Sequence, residues 1–178
     1  MTSIQFRLAT QQDVEAIAAL HTLSWQTSLQ EIFPAQFLTE QVPHMHRQHW
    51  LETLATPKGY LCVAELNDAL VGFIFCHTND DLKEWGCLID NLHVHPDMKG
   101  RGLGRQLAQH AAHWCRDIQS CNALHLWVAE GNRAAINSYL RWGGERVERC
   151  LHHHQGGPSI WAYRFYWENL SQTLLQQE

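Results

Sequence analysis

The sequence predicts an α/β domain built from seven strands and four helices. Short runs rich in β-branched and aromatic residues alternate apolar and polar side chains, as half-buried strands do. Longer segments place apolar residues three and four positions apart, which is the spacing of an amphipathic helix. No internal repeat or Gly/Ser-rich linker interrupts the 178 residues, so we expect one domain over residues 1–170 and a C-terminal tail over 171–178.

The predicted elements follow the order β, α, α, β, β, β, α, β, α, β, β. Thr10 stands three residues before Asp13 and predicts the start of the first helix. Asn67, Asp68 and Ala69 separate the second and third strand runs and predict a hairpin. The strand runs are SIQFRL, YLCVAEL, LVGFIFCHT, GCLIDNLHV, ALHLWVA, ERVERCLHH and SIWAYRFYW, and the helices are expected over Gln11–Trp25, 35–55 with a break at Pro43, Gly102–Ile118 and Asn132–Trp142.

Composition narrows the classes of partner and the compartment. Lys and Arg number 13 against 18 Asp and Glu, a net charge of −5, which argues against nucleic acid as the main partner. No apolar run reaches the roughly 18 residues that a membrane helix needs, so no membrane association is expected. The six cysteines form no CxxC pair and no export segment opens the chain, which predicts a cytoplasmic protein.

A glycine-rich turn between the fourth strand and the third helix is the first candidate site. Gly100, Gly102 and Gly104 lack a Cβ, so their N–H groups can converge on an anion at the start of the helix. Lys99, Arg101 and Arg105 add positive charge around that turn. The residues predict either a phosphate site or an ordinary tight connection between packed elements.

Two motifs in this order resemble the GNAT superfamily of acetyl-CoA-dependent N-acetyltransferases. The first is Val94, Pro96 and then Lys99-Gly-Arg-Gly102-Leu-Gly104, which departs from the family at Lys99, where Arg or Gln is usual. The second is a strand followed by Asn132, Ala135, Tyr139 and Gly143. The N-terminal third is also similar, so the resemblance covers nearly the whole chain.

The resemblance implies a GNAT-like mixed, mostly antiparallel sheet of about seven strands, flanked by helices, with strands 4 and 5 splayed by a bulge. It implies transfer of an acetyl group from acetyl-CoA to a primary amine by direct attack on the thioester. In the family the arm of CoA pairs with the fourth strand and its pyrophosphate binds the glycine turn. The implied CoA-binding residues are Leu92, His93, Val94, Lys99, Gly100, Arg101, Gly102, Leu103, Gly104, Arg105, Asn132 and Tyr139.

The family also implies catalytic roles for three residues. The backbone N–H of Val94 would contact the oxyanion, and the Tyr139 hydroxyl would protonate the departing thiolate. Period-two alternation puts Asp90, Leu92 and Val94 on one face of the fourth strand, and family members carry a base on this face, which favours Asp90. Glu84 and His93, the latter on the opposite face, are weaker candidates, and Asp90 is alternatively a structural or substrate-anchoring carboxylate.

The acceptor is predicted less specifically. The acidic balance of the chain, with Asp90 and Glu84 near the pocket, favours a small cationic amine, and Trp25 lies where the family forms its acceptor pocket. The alternatives are a protein or peptide N-acetyltransferase and a non-catalytic acyl-CoA-binding member of the fold. A homodimer is compatible with the resemblance.

The 13 histidines raise the question of a metal site. His46 and His49, and likewise His110 and His113, are spaced to meet on one helix face, and His152, His153 and His154 are consecutive. No HExxH motif or Cys/His set of zinc spacing is present. We therefore predict no functional metal, with adventitious surface binding as the alternative.

Overall fold

Seven strands form one sheet in the order β1-β2-β3-β4-β5-β7-β6, which confirms the predicted class. The structure is a computed structural model that describes residues 3–56, 58–78, 84–153 and 157–176. All neighbouring strands are antiparallel except β4 and β5, which are parallel. The strands are β1 Gln5–Leu8, β2 Tyr60–Leu66, β3 Ala69–Thr78, β4 Cys87–Val94, β5 Leu124–Ala129, β6 Glu145–His153 and β7 Ser159–Trp167.

Four α-helices connect and cover the strands: α1 Val14–Ser28, α2 Val42–Ala55, α3 Leu103–Asp117 and α4 Arg133–Arg141. A 3₁₀ turn, Gln11–Asp13, precedes α1, and the Asp13 carboxylate accepts the Thr10 N–H at 2.7 Å, so the chain enters the helix where predicted. Within the described residues no helix is long and apolar enough to cross a membrane.

The sequence predicted a break in the second helical region at Pro43, but the chain stays helical there. Residues Phe37–Gln41 form a π-helical segment that leads directly into α2, with Pro43 in its first turn. Proline has no N–H and its ring crowds the carbonyl four residues earlier. The wider π turn accommodates that conflict, so the chain stays helical through the proline.

The β2–β3 hairpin turns on two residues with left-handed backbone. Asn67 and Asp68 have φ values of 52° and 61°, the conformation of the tight turn that matches the twist of a hairpin. Ala69, predicted as part of the turn, is the first residue of β3.

An extra residue in β4 interrupts its pairing with β3. Phe75 pairs with Asn91 whereas Cys76 pairs with Ile89, so Asp90 is an insertion in the ladder. The parallel β4–β5 ladder joins Cys87–Ile89 to Leu124–Leu126 and extends no further in the described chain. The splay that the family resemblance implied is therefore present, and it starts at the bulge.

Helices cover both faces of the sheet. On one face, α3 packs on a core that includes Ile74, Ile89 and Leu124, and we call this the α3 face. On the other, the α1 face, α1 and α2 pack on Phe73 and Phe75. A smaller cluster extends the α1 face: Leu29, Phe33, Phe37, Leu38 and Val42 pack against Ala129 of β5 and Ile160 of β7.

The strand β6 forms one edge of the sheet and pairs with β7. Eight of its nine residues are exposed. Arg149 lies over the exposed Trp161 ring at 3.9 Å and also pairs with Glu130. Beyond Leu170 the chain returns to the core, where Leu174 is fully buried on the α3 face.

We predict that Gly86→Ala destabilises the fold much more than Gly100→Ala. Both glycines have a φ of 76°, but a Cβ on Gly86 would lie 2.2 Å from the Ala123 carbonyl oxygen, whereas a Cβ on Gly100 meets no atom within 4 Å. Backbone strain should cost each variant about 1 kcal/mol, and the collision should cost Gly86→Ala roughly 2 kcal/mol more. Urea unfolding without ligand measures both losses, and equal losses would contradict the collision.

Candidate active site

A cavity of about 1020 Å³ opens where β4 and β5 separate. Its walls come from the glycine turn and α3, from α4, and from α1 and α2 on the opposite face of the sheet. Because the strands do not pair beyond Ile89 and Leu126, the cavity passes between them and reaches both faces. Large clefts with a few convergent polar groups are the usual places for ligands.

The glycine turn leaves open space at the start of α3. Gly100 and Gly102 have φ values of 76° and 79°, and the nearest atom to a Cβ on Gly102 would be 3.9 Å away. Glycine is therefore required here by backbone conformation and not by packing against the protein. Backbone N–H groups followed by the N-terminus of the 15-residue α3 form a cradle that suits a phosphate.

The predicted basic residues lie differently around this cradle. Lys99 and Arg105 line the cavity, and the Lys99 ammonium donates to Ser28 Oγ of α1 at 2.8 Å. Arg101 is exposed and is not among the described lining residues. Leu103 and Gly104 also line the cavity, with Gly104 close to Trp142 of α4.

The backbone of Val94 faces the gap between β4 and β5. The His95 N–H donates to the Val71 carbonyl at 2.9 Å, so residue 95 bonds toward β3. Backbone groups of successive strand residues point to opposite sides, so Val94 and Leu92 point away from β3. These two residues offer a free strand edge in the cavity, while the backbone of His93 faces β3.

Tyr139 of α4 is a buried residue that lines the cavity. The helix begins after Asn132, whose side chain accepts the Ala135 N–H, and both Asn132 and Tyr139 line the cavity. The Tyr139 ring packs against Trp142, Phe165 and Trp167. Burial raises the pKa of Tyr139 to about 12, so its hydroxyl keeps its proton at neutral pH.

The bulge interrupts the alternation that predicted a common face for Asp90, Leu92 and Val94. Leu92 pairs with Ile74 and Ile89 pairs with Cys76, two residues on the α3 face, so Ile89 shares the face of Leu92. Asp90 nevertheless lines the cavity as an exposed side chain, and its carboxylate accepts a hydrogen bond from the Asn91 amide at 2.8 Å.

Glu84 does not join this site. It is exposed in a short turn before β4 and is not among the described residues that line the cavity. Asp90 is therefore the one carboxylate among the cavity-lining residues that the structure describes.

Three histidines stack on the α1 face, an arrangement that the sequence did not predict. His21 of α1 and His46 of α2 have ring centroids 3.5 Å apart and nearly parallel planes, and His93 of β4 lies 4.3 Å from His21. The Trp50 indole donates to His21 Nδ1 at 3.2 Å, so His21 carries its proton on Nε2. His93 Nδ1 and Ser24 Oγ are 2.9 Å apart.

Burial keeps this stack uncharged. It lowers the pKa of His46 and of His93 to about 3, and that of His21 falls well below its usual value for the same reason. The like charges that neighbouring imidazoles would carry add to the effect. The cavity therefore has a neutral imidazole wall on the α1 face.

Aromatic side chains also line the cavity. Trp25, predicted for this position, stacks on Phe33 with ring centroids 5.3 Å apart. Trp127 and His152 line the cavity as well, and their ring centroids are 4.4 Å apart.

The remaining histidines of the predicted clusters do not join this stack. His49 lines the cavity beside Trp50, whereas His110 packs on Phe6 and His113 faces Asp117. His44 is exposed and His153 meets Ser159, while His154 lies outside the described residues.

Comparison with known proteins identifies the family to which this chain is similar. Residues 22–144 match the model of the acetyltransferase (GNAT) family. The chain is 34% identical over 89 residues to an uncharacterised N-acetyltransferase of Methanocaldococcus jannaschii, a match that covers 48% of this chain and 39% of that protein.

Solved acetyltransferases share the fold at low sequence identity. The PaiA N-acetyltransferase of Thermoplasma acidophilum, in complex with coenzyme A, superposes with a TM-score of 0.71 at 16% identity, covering 91% of this chain and 98% of that one. A putative GNAT acetyltransferase of Desulfovibrio desulfuricans gives 0.72 at 16%, covering 93% and 99%. The putative acetyltransferase YncA of Salmonella typhimurium, with acetyl-CoA, gives 0.67 at 17%, covering 94% of each chain.

The family model matches more than half of the chain, over the stretch that contains the split strands and the glycine turn. The chain therefore belongs to the GNAT acetyltransferase family.

Proposed function

We propose that this protein transfers an acetyl group from acetyl-CoA to the primary amine of a small cationic molecule. One observation carries the proposal: the phosphate cradle, the free edge of β4 and the Tyr139 side chain all open into a single cavity. These features match the three parts of acetyl-CoA in order, namely its pyrophosphate, its amide-bearing arm and its thioester. Solved relatives crystallised with coenzyme A or acetyl-CoA support the same donor.

The backbone would hold most of the donor. N–H groups of the glycine turn would bind the pyrophosphate at the start of α3, with Lys99 and Arg105 adding positive charge. Leu92 and Val94 would pair with the amide groups of the arm, as an added strand does. Backbone recognition of this kind explains why the substitution of Lys for the family's usual Arg or Gln at position 99 is compatible with binding.

The chemistry requires a free amine, an oxyanion site and a proton for the leaving thiolate. The amine attacks the thioester carbonyl, and the C–S bond breaks as the amide forms. The Val94 N–H faces the gap and would donate to the oxyanion, while Tyr139 would protonate the sulfur. Asp90 would accept the proton that the amine loses, directly or through water.

The residues proposed to contact the acceptor favour a small cationic molecule. Asp90 supplies negative charge, and the Trp25 and Phe33 rings supply the faces on which ammonium groups bind favourably. Because Glu84 is not among the described lining residues, Asp90 alone supplies the negative charge that would favour a cationic acceptor. A protein or peptide acceptor and a non-catalytic acyl-CoA sensor are the competing functions, and the homodimer stays a prediction.

Acetyl-CoA should bind and stabilise the protein, by about 2.7 kcal/mol at a hundredfold excess over Kd. Gly102→Val should weaken binding roughly 10- to 100-fold, since its side chain fills the cradle and displaces one or two hydrogen bonds to a charged group. Calorimetry and melting curves measure both effects. As a control for backbone strain, Gly143→Ala has a similar φ of 80° outside the described lining and should bind normally. No heat and no melting shift at millimolar acetyl-CoA would contradict the proposal.

Tyr139→Phe should lower kcat roughly 10- to 100-fold, the low end for loss of a general acid because a thiolate is a fair leaving group. Acetyl-CoA affinity should stay within about twofold, since the ring keeps its packing. Tyr163→Phe is the matched control: it removes a hydroxyl that bonds to Glu130 outside the described cavity lining. Full kcat in Tyr139→Phe, with chemistry rate-limiting, would return Tyr139 to a packing role.

Asp90→Asn should lower the rate at neutral pH and recover as pH rises, because a lysine-like amine with a pKa near 10.4 then loses its proton without a base. Glu84→Gln, outside the described lining, should match the parent protein. Initial rates of CoA release against a panel of cationic, neutral and acidic amines test the acceptor in the same assay. A preference for neutral or acidic amines, or a pH-independent loss in Asp90→Asn, would contradict the role proposed for this carboxylate.

A further inference from the structure

Three cysteines meet on the α3 face, at the end of the β4–β5 ladder that still pairs. Cys87 is the first residue of β4, Cys115 lies in the last turn of α3, and Cys121 follows that helix. Their Sγ atoms all lie within 4.8 Å of one another. Each sulfur thus comes from a different part of the fold, on the α3 face of the sheet.

A fourth cysteine adjoins this group. Cys76 is fully buried on β3, two residues before Thr78, the residue that pairs with Cys87. The close group thus contains three of the six cysteines of the chain, with Cys76 beside Cys87 on the neighbouring strand. Of the other two, Cys150 is exposed on β6.

Backbone carbonyl groups fix the position of the Cys115 thiol. The Cys115 thiol lies 3.1 Å from the Cys121 carbonyl oxygen and 3.2 Å from that of Ala123. Thiolates are the form of cysteine that binds metal ions.

We propose that Cys87, Cys115 and Cys121 bind one thiolate-preferring metal ion of the Zn²⁺ class, with Cys76 placed to supply a fourth sulfur. Three or four sulfur ligands suit zinc and similar soft cations and do not suit Mg²⁺ or Ca²⁺, which require oxygen. Each thiol that becomes a ligand releases its proton to solvent. Cys121 is partly exposed while the other three are buried, so the ion has a path of entry.

The ion would act on stability and not on acetyl transfer. It would join the start of β4, the end of α3 and the segment leading to β5, at the end of the β4–β5 ladder that still pairs. None of these cysteines is among the described residues lining the cavity. The inference is thus independent of the proposed reaction.

The test is titration of the fully reduced, metal-free protein with Cd²⁺ and with Zn²⁺. We expect one equivalent of Cd²⁺ to produce a thiolate-to-metal ultraviolet band, and one equivalent of Zn²⁺ to raise Tm and release protons. The thiolate band separates this site from surface histidines, which would bind without it. Mg²⁺ at the same concentration should change neither signal.

Two variants locate the site. Cys121→Ser removes a partly exposed ligand and should weaken Cd²⁺ binding at least tenfold, whereas Cys150→Ser on β6 should bind as the parent protein does. Cys121→Ala provides a second test if the serine variant does not fold. Absence of the thiolate band in the reduced parent protein, or normal binding by a folded Cys121 variant, would overturn the proposal.

Discussion

One extra residue in β4 determines the shape of the whole site. Asp90 is inserted in the ladder with β3, and beyond it β4 no longer pairs with β5. Backbone groups in a sheet interior are almost always hydrogen-bonded, so a strand edge left free inside a fold is unusual. Here that free edge includes Val94 and faces a cavity, where a ligand can satisfy it. Because β4 and β5 separate there, side chains from both faces of the sheet line the same cavity.

The two faces contribute different chemistry to this cavity. The α3 face brings backbone donors and a helix N-terminus, which suit an anion. The α1 face brings His21, His46 and His93, whose burial keeps them neutral near physiological pH. Asp90 supplies the one negative charge among the described lining residues.

Local patterns were enough to predict the order of strands and helices, because period-two and helical spacing are set by neighbours along the chain. The glycine turn and Tyr139 were identified by their motifs, which are also local. The face of Asp90 was not predictable from alternation, since a bulge changes the phase of the strand. A signal for the histidine stack was present at His21, which occupies an apolar position of α1, but its contact with His46 and His93 depends on tertiary packing. Cysteine spacing likewise gave no indication that Cys87 and Cys121 meet.

The edge strand β6 affects self-association of this protein. An unpaired edge is a template on which a strand from another molecule can add. In β6 the exposed residues Glu145, Arg146, Glu148 and Arg149 place charge of both signs along that edge. The opposite edge, β1, has only four residues, and its Arg7 is tied to Asp13 and Glu65. Neither edge favours addition of another strand, so the fold resists edge-to-edge association. Within the described chain, the edge of β4 that faces the cavity stays available to a ligand.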